Sequence, residues 1–133
     1  IEALETFGVT TVGYKTDSFP LFYSSESKNK LQYRFNSVSG LVGAYRKNIE
    51  NQLQSSLLVL NPVPKKDEIL EEKIENIFSK SISKMEKLGI IGNNTTPFLL
   101  NEIAKKTKNK SLETNISLAL NNIKLGAKIA LKM

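Results

Sequence analysis

The sequence predicts an α/β fold in which helices pack on a mostly parallel sheet and the chain ends in consecutive helices. Three observations lead to this prediction. Helix-like and strand-like segments alternate from Glu2 to Leu60, whereas the apolar residues after Leu60 recur at helical spacing. At 133 residues and 40% apolar content, the chain is also long enough to bury a core.

The first predicted elements form the second half of a crossover unit. Residues Glu2 to Thr6 are predicted to end a helix, and Gly8 supplies the helix-ending position that tolerates positive φ. Val9 to Tyr14 follows as a strand rich in β-branched residues. Because parallel strands are joined through crossover helices, this order predicts a further strand before Glu2.

Two strands and one helix complete the predicted sheet region. The alternating residues from Leu31 to Phe35 predict a short, half-exposed strand. Ser37 is the predicted N-cap of a helix that runs to about Gln54. Ser56 to Leu60 is predicted to be a compact buried strand, which the proline-rich segment 61–64 ends because proline cannot donate to a sheet.

Three helices are predicted after the prolines. Asp67 is the predicted cap of the first helix, which ends at Gly89. Thr96 is the predicted N-cap of the second, with Pro97 at the first helical position. The third helix is predicted to begin at a Ser111 cap and to continue to the C-terminus.

The last helix carries two apolar lines and an unusual number of asparagines. The first line is predicted to face a core, and the second indicates burial on more than one side. The first consists of Leu112, Ile116, Ala119, Leu120, Ile123 and Ala127, and the second of Leu118, Leu125 and Ile129. Asn115, Asn121 and Asn122 fall within eight residues, although Asn is a mediocre helix former. Their amides either satisfy loop backbone at a helix interface or contact a polar ligand as donor and acceptor.

The composition limits the chemistry that this chain can carry out and the kinds of partner that it can bind. The absence of Cys and His excludes disulfides and Cys-ligated zinc, and it leaves acid–base chemistry to Asp, Glu, Lys and Tyr. The net charge is +6, and nearly all of the cationic residues are Lys, which lie beside Glu on predicted helix surfaces. Arg34 and Arg46 supply the only guanidinium groups. Nucleic-acid recognition needs Arg forks and interleaved aromatic residues, so we expect no nucleic-acid partner. No apolar run approaches the length of a membrane span.

Three segments, taken in order, resemble one known family. They are ETFGVTTVGYKTDSFPLFY at residues 5–23, LNPVP at residues 60–64, and TPFLL at residues 96–100 leading to NISL at residues 115–118. This arrangement resembles the pseudouridine-5′-phosphate glycosidases, also called indigoidine-synthase-A-like proteins. The resemblance implies that residues 1–133 are the C-terminal portion of a single α/β/α sandwich domain with a mostly parallel sheet, whose N-terminal part lies upstream.

The resemblance implies an enzyme that reversibly converts pseudouridine 5′-phosphate and water to uracil and ribose 5-phosphate. Cleaving a carbon–carbon bond needs an electron sink, which in the family is a Schiff base between a Lys and the sugar. A Glu acts as general acid–base, and an Asp holds a Mn²⁺ that helps organise the phosphate end. By the family pattern these groups lie upstream of Ile1. We therefore expect no catalytic residue and no metal ligand in this chain, which alone should be inactive.

The candidate site residues are substrate contacts. Asn115 matches the family's substrate-contacting Asn, whereas Asn122 is predicted to be structural. Asn61 follows a buried strand, where ligands gather in parallel α/β sheets. Asn61 and Thr96 are the weaker candidates because a turn and a helix cap already explain them.

The resemblance also implies partners and a setting. We expect the N-terminal remainder of the same protein and further copies in a homotrimer to contact this chain. A cytoplasmic location is expected, while an organellar targeting segment upstream of Ile1 stays open. The alternative function is a non-catalytic paralogue or fragment that acts as an interaction module. A Lys in an Ala-Gly-x-Lys-Ser context upstream would favour the enzyme.

Overall fold

The computed structural model describes residues 2–53 and 55–133, which form five helices and three strands. Two short 3₁₀ turns, Lys65–Asp67 and Gly92–Asn94, precede the third and fourth helices. In chain order the elements are α1 (Glu2–Thr6), β1 (Thr10–Tyr14), β2 (Tyr33–Phe35), α2 (Val38–Glu50), β3 (Leu57–Leu60), α3 (Glu71–Lys87), α4 (Thr95–Lys106) and α5 (Lys110–Ala130). The predicted α/β class, with helices in succession at the end, is confirmed.

The three strands form one parallel sheet in the order β2-β1-β3. In this register Val12 of β1 lies opposite both Tyr33 and Val59. Val59 shares a small cavity with Val42 of α2 and Ile129 of α5, so these two helices cover one face of the sheet. The parallel sheet that the sequence predicted is therefore confirmed, with β1 in the middle.

The ends of the first two helices follow local chemistry. Gly8 has a φ of +71° and ends α1, as predicted. The Ser37 hydroxyl oxygen accepts a hydrogen bond from the Gly40 N–H at 3.1 Å, which confirms this residue as the N-cap of α2. The helix ends at Glu50, and the predicted end at Gln54 lies outside the described residues.

An apolar core lies between α3, α4 and the loop after β1. Tyr23, Ile69, Ile74 and Ile103 are buried together, and Ile77 packs against them. Burial raises the pKa of the Tyr23 hydroxyl above its ordinary value. This aromatic residue of the first family motif therefore holds the loop after β1 onto the helices.

The predicted cap of α3 is wrong. Asp67 ends a 3₁₀ turn, and α3 begins later, at Glu71. The Asp67 carboxylate instead accepts a hydrogen bond from the Ser117 hydroxyl at 2.6 Å. A contact with a helix distant in the sequence has replaced the local cap, which pattern analysis along the chain could not detect.

The predicted caps of α4 and α5 are also wrong. The 3₁₀ turn before α4 leads straight into Thr95, so Thr96 is already the second helical residue. Asn109 has a φ of 66° and reverses the chain before α5. Ser111 consequently lies inside the first turn, where it is buried.

The apolar line of α5 that was predicted to face a core is exposed instead. The exposed fractions are 52% for Leu112, 53% for Ile116, 51% for Leu120 and 66% for Ile123. The buried side chains of this helix are Ser111, Thr114 and Leu125. The helix is oriented by hydrogen bonds from its polar side chains to the rest of the chain, as the Thr114 hydroxyl shows by donating to the Asp67 carbonyl at 2.6 Å.

We predict that Gly13→Ala destabilises the protein. The chain folds back after β1, so a Cβ on Gly13 would overlap the Thr16 carbonyl oxygen and lie 2.9 Å from Leu31 Cδ1. Such overpacking costs about 1–3 kcal/mol or more of the free energy of unfolding. Chemical denaturation of the full-length protein measures the change.

The matched control for this prediction is Gly43→Ala. Gly43 lies within α2, and a Cβ there would meet no atom within 4 Å. Alanine is the better helix former by about 1 kcal/mol, so this variant should be as stable as the parent or more stable. Equal losses of stability in the two variants would contradict the argument from the fold-back.

We predict that the ion pair joining α3 to α4 makes a pH-dependent contribution to the free energy of unfolding. Lys84 Nζ donates to Glu102 Oε2 at 2.8 Å, and this hydrogen bond lowers the pKa of Glu102 from its ordinary 4.5. A carboxyl whose pKa is lower in the folded state stabilises the fold above its unfolded pKa. This contribution is lost as the pH falls through the lowered value.

Thermal unfolding of Glu102→Gln at several pH values checks the prediction. The loss of stability relative to the parent should be largest near neutral pH and should shrink as the pH is lowered below 4.5. In a Lys84→Met background, the same substitution should show a much weaker pH dependence because the partner is gone. If the loss of stability in the parent background does not change with pH, the ion pair does not make the predicted contribution.

Candidate functional site

The candidate site lies at the carboxyl edge of the sheet. Because the three strands are parallel, β1 ends at Tyr14, β2 at Phe35 and β3 at Leu60 along the same edge. Lys15 follows β1 with a φ of 58°, in the left-handed region, and Asn61 follows β3 directly. Ligands of parallel α/β sheets bind beyond the carboxyl ends of the strands.

An open hollow of about 570 Å³ lies next to this edge. Its walls are the loop after β1, the end of β3 and one side of α5. Phe19, Phe22 and Leu118 make the lining largely apolar, while Asn61 and Asn122 place amides in it. An apolar hollow with a few polar groups is the usual form of a small-molecule site.

Two neighbouring asparagines of α5 hold the loop that follows β3. The Asn61 amide nitrogen donates to the Asn122 amide oxygen at 3.0 Å. The Asn121 amide nitrogen donates to the Pro62 carbonyl at 2.9 Å. Asn122 therefore has a structural partner, and Asn61 is drawn into the same contact.

Two hydroxyls of α5 extend this contact to the 3₁₀ turn at Lys65–Asp67. The Thr114 hydroxyl lies 2.6 Å from the Asp67 carbonyl, and the Ser117 hydroxyl donates to the Asp67 carboxylate at 2.6 Å. Thr114, Ser117 and Asn121 follow one another at helical spacing, so they share one side of α5. We call their bonds to segment 61–67, together with that of Asn122, the polar ladder.

Asn115 stands at the border between the packed and the exposed sides of α5. The residue is half-buried, and its amide takes part in none of the hydrogen bonds found within residues 2–53 and 55–133. Seven residues separate it from Asn122, so the two lie within about 20° of each other around the helix. Helical spacing thus puts Asn115 on the side of α5 that also faces the hollow, although the residue is not part of the hollow's lining.

The structure brings together only some of the predicted candidates. Asn61 pairs with Asn122 rather than with Asn115. Thr96 is exposed in the first turn of α4 and lies outside the hollow and the polar ladder. Sequence reasoning missed the anchoring roles of Thr114 and Ser117, although their spacing with Asn121 marks a polar line along α5.

Neither a metal centre nor a membrane segment is found in the part of the chain that the structure describes. Residues 2–53 and 55–133 hold no group of three or more acidic side chains that could bind a metal ion. None of the helices in these ranges combines the length and apolar content that crossing a bilayer requires.

Comparison with known sequences reveals a family match over almost the whole chain. Residues 1–132 match the family described as indigoidine synthase A like protein. A pseudouridine-5′-phosphate glycosidase of Kosmotoga olearia is 38% identical over 133 residues, which cover all of this chain and 46% of the relative. One of Petrotoga mobilis is 39% identical over 129 residues, covering 97% of this chain and 42% of the relative.

Comparison with solved structures agrees with this family match. An indigoidine synthase A-like protein of Thermotoga maritima superposes with a TM-score of 0.87 at 36% identity, covering 99% of this chain and 44% of that one. The prealnumycin C-glycosynthase AlnA, solved with ribulose 5-phosphate, superposes at 0.71 and 22% identity, covering 92% of this chain and 45% of that one. At this identity the second match shows a shared fold alone.

The chain spans less than half the length of these relatives and corresponds to their C-terminal part. The motif resemblance, the parallel sheet and the matches at 36–39% identity all point the same way. The chain belongs to the indigoidine synthase A-like family, which includes the pseudouridine-5′-phosphate glycosidases.

Proposed function

We propose that the full-length protein is a pseudouridine-5′-phosphate glycosidase that reversibly converts pseudouridine 5′-phosphate and water to uracil and ribose 5-phosphate. The observation that carries this proposal is 38% identity over the entire chain with a relative of that name. In this proposal residues 1–133 form one wall of the substrate site, and the reacting groups belong to the polypeptide upstream.

The proposed chemistry divides the work between the two parts of the protein. A carbon–carbon glycosidic bond needs an electron sink, which we assign to a Lys upstream that forms a Schiff base with the ribose. A Glu upstream is the proposed general acid–base. Mn²⁺ is proposed to bind an Asp upstream as well, as the family resemblance implies. The proposed assembly is a homotrimer.

Asn115 is the proposed contact to the base. A uracil edge presents both N–H donors and carbonyl acceptors, and a carboxamide can pair with both. The half-buried position of Asn115 and its amide without a hydrogen bond among the described residues support this role. Asn61 is proposed to act through Asn122, by holding the loop after β3. Thr96 stays a weaker candidate for a substrate contact.

The first test is an assay of uracil release from pseudouridine 5′-phosphate in the presence of Mn²⁺. The full-length protein should turn over, should lose activity on chelation and should regain it when Mn²⁺ is returned. The 133-residue chain alone should release no uracil. Turnover by that chain, or none by the metal-loaded full-length protein, would contradict the proposal, and the second result would favour a non-catalytic interaction module.

The second test is Asn115→Ala in the full-length enzyme. Loss of a hydrogen bond to the substrate should lower kcat/KM about 10- to 100-fold. The melting temperature should change little, since the amide makes no hydrogen bond within the described residues. Asn101→Ala is the control because Asn101 is exposed on α4, and it should leave both quantities unchanged. Equal kinetic losses in the two variants would remove Asn115 from the site.

A further inference from the structure

An exposed apolar surface runs along α5. It consists of Leu112, Ile116, Leu120 and Ile123, each more than half exposed, and we call it the α5 apolar face. At 1.5 Å of rise per residue these side chains extend over roughly 16 Å of the helix. Contiguous apolar surface of this kind marks a site where another part of a protein or a partner binds.

Around the helix, this face is directed mostly away from the packing already described, and Ile116 and Leu120 border an open hollow that Pro64 and Asp67 also line. Ile116 lies about 160° around the helix from Thr114, which is buried against segment 61–67. The charged Glu113, Lys124 and Lys128 occupy one flank, and all three are exposed. Asn115 borders the other flank, about 60° from Leu112.

We propose that the α5 apolar face is covered by the N-terminal remainder of the same polypeptide. The length of the relatives supports this occupant. The relatives are more than twice as long as this segment, and the segment matches their C-terminal part. A covalently attached partner is present at high effective concentration, which favours it over a separate chain as the occupant of this face.

The position of Asn115 supports the same occupant, on the basis of the proposed function. If the reacting Lys and Glu lie upstream and the base contacts Asn115, the upstream polypeptide must reach that flank of α5. Packing next to Asn115 brings it onto Leu112 and Ile116, which begin the α5 apolar face. The side of the face with Lys124 and Lys128 is expected to stay in water.

The test places a photo-reactive p-benzoylphenylalanine at Ile123 of the full-length protein. Irradiation should yield a product of single-chain mass on a denaturing gel. Peptide mapping should locate its link in residues upstream of Ile1. A product of two-chain mass would show that a second copy covers the face, and the proposal would fall. The absence of any product would also refute it, because the face would then be in water.

The matched control places the same group at Lys128, on the charged flank about 140° away around the helix. It should give little or no link to upstream residues. Links as strong as those from Ile123 would refute the assignment to this face.

A second pair of variants does not depend on cross-linking. Ile123→Glu should lower the melting temperature of the full-length protein by several degrees and should leave its oligomeric state unchanged. Lys128→Glu should change neither the melting temperature nor the oligomeric state. Dissociation of subunits by Ile123→Glu at an unchanged melting temperature would point to a second copy instead. Uracil release by the parent protein tests the proposed function separately, so either idea can fail alone.

Discussion

The polar ladder between α5 and segment 61–67 is the interaction on which the rest of this structure depends. It joins the last helix to the chain that leaves β3, so it determines which side of α5 meets the sheet and which side faces outward. Thr114 is buried and its hydroxyl must be paired, and Ser117 and Asn121 are half-buried beside it, so α5 docks where partners for these groups exist. Apolar contacts alone would have permitted many rotations of α5, whereas the ladder selects one.

Most of the fold could be predicted from the sequence because its signals are local. Ser37 and Gly8 each determine the end of their own helix. β-branched residues mark β1, and the prolines after Leu60 mark the end of β3. The failures have two causes. Contacts with distant parts of the chain decided the outcome for Asp67 and for the apolar line of α5. The caps predicted at Thr96 and Ser111 were displaced by a 3₁₀ turn and by the reversal at Asn109.

The site was harder to predict than the fold. The sequence indicated that the asparagines of α5 needed a reason beyond helix propensity, and the structure supplies it for Asn121 and Asn122. Among residues 2–53 and 55–133 it shows no hydrogen bond to the Asn115 amide, and the role of Asn115 toward a ligand stays a proposal. The motif around Thr96 gave no such distinction, since a hydroxyl near a helix start is common in proteins of every function.

The order of strands in the sheet has a consequence for biosynthesis. β1 is the middle strand, yet both of its neighbours come later in the chain: Val12 first meets Tyr33 and then Val59. At ordinary rates of translation, roughly two to ten seconds separate Val12 from Val59 on the ribosome. During that interval β1 has unpaired backbone along at least one side, and such an edge can pair with another chain before β3 is made.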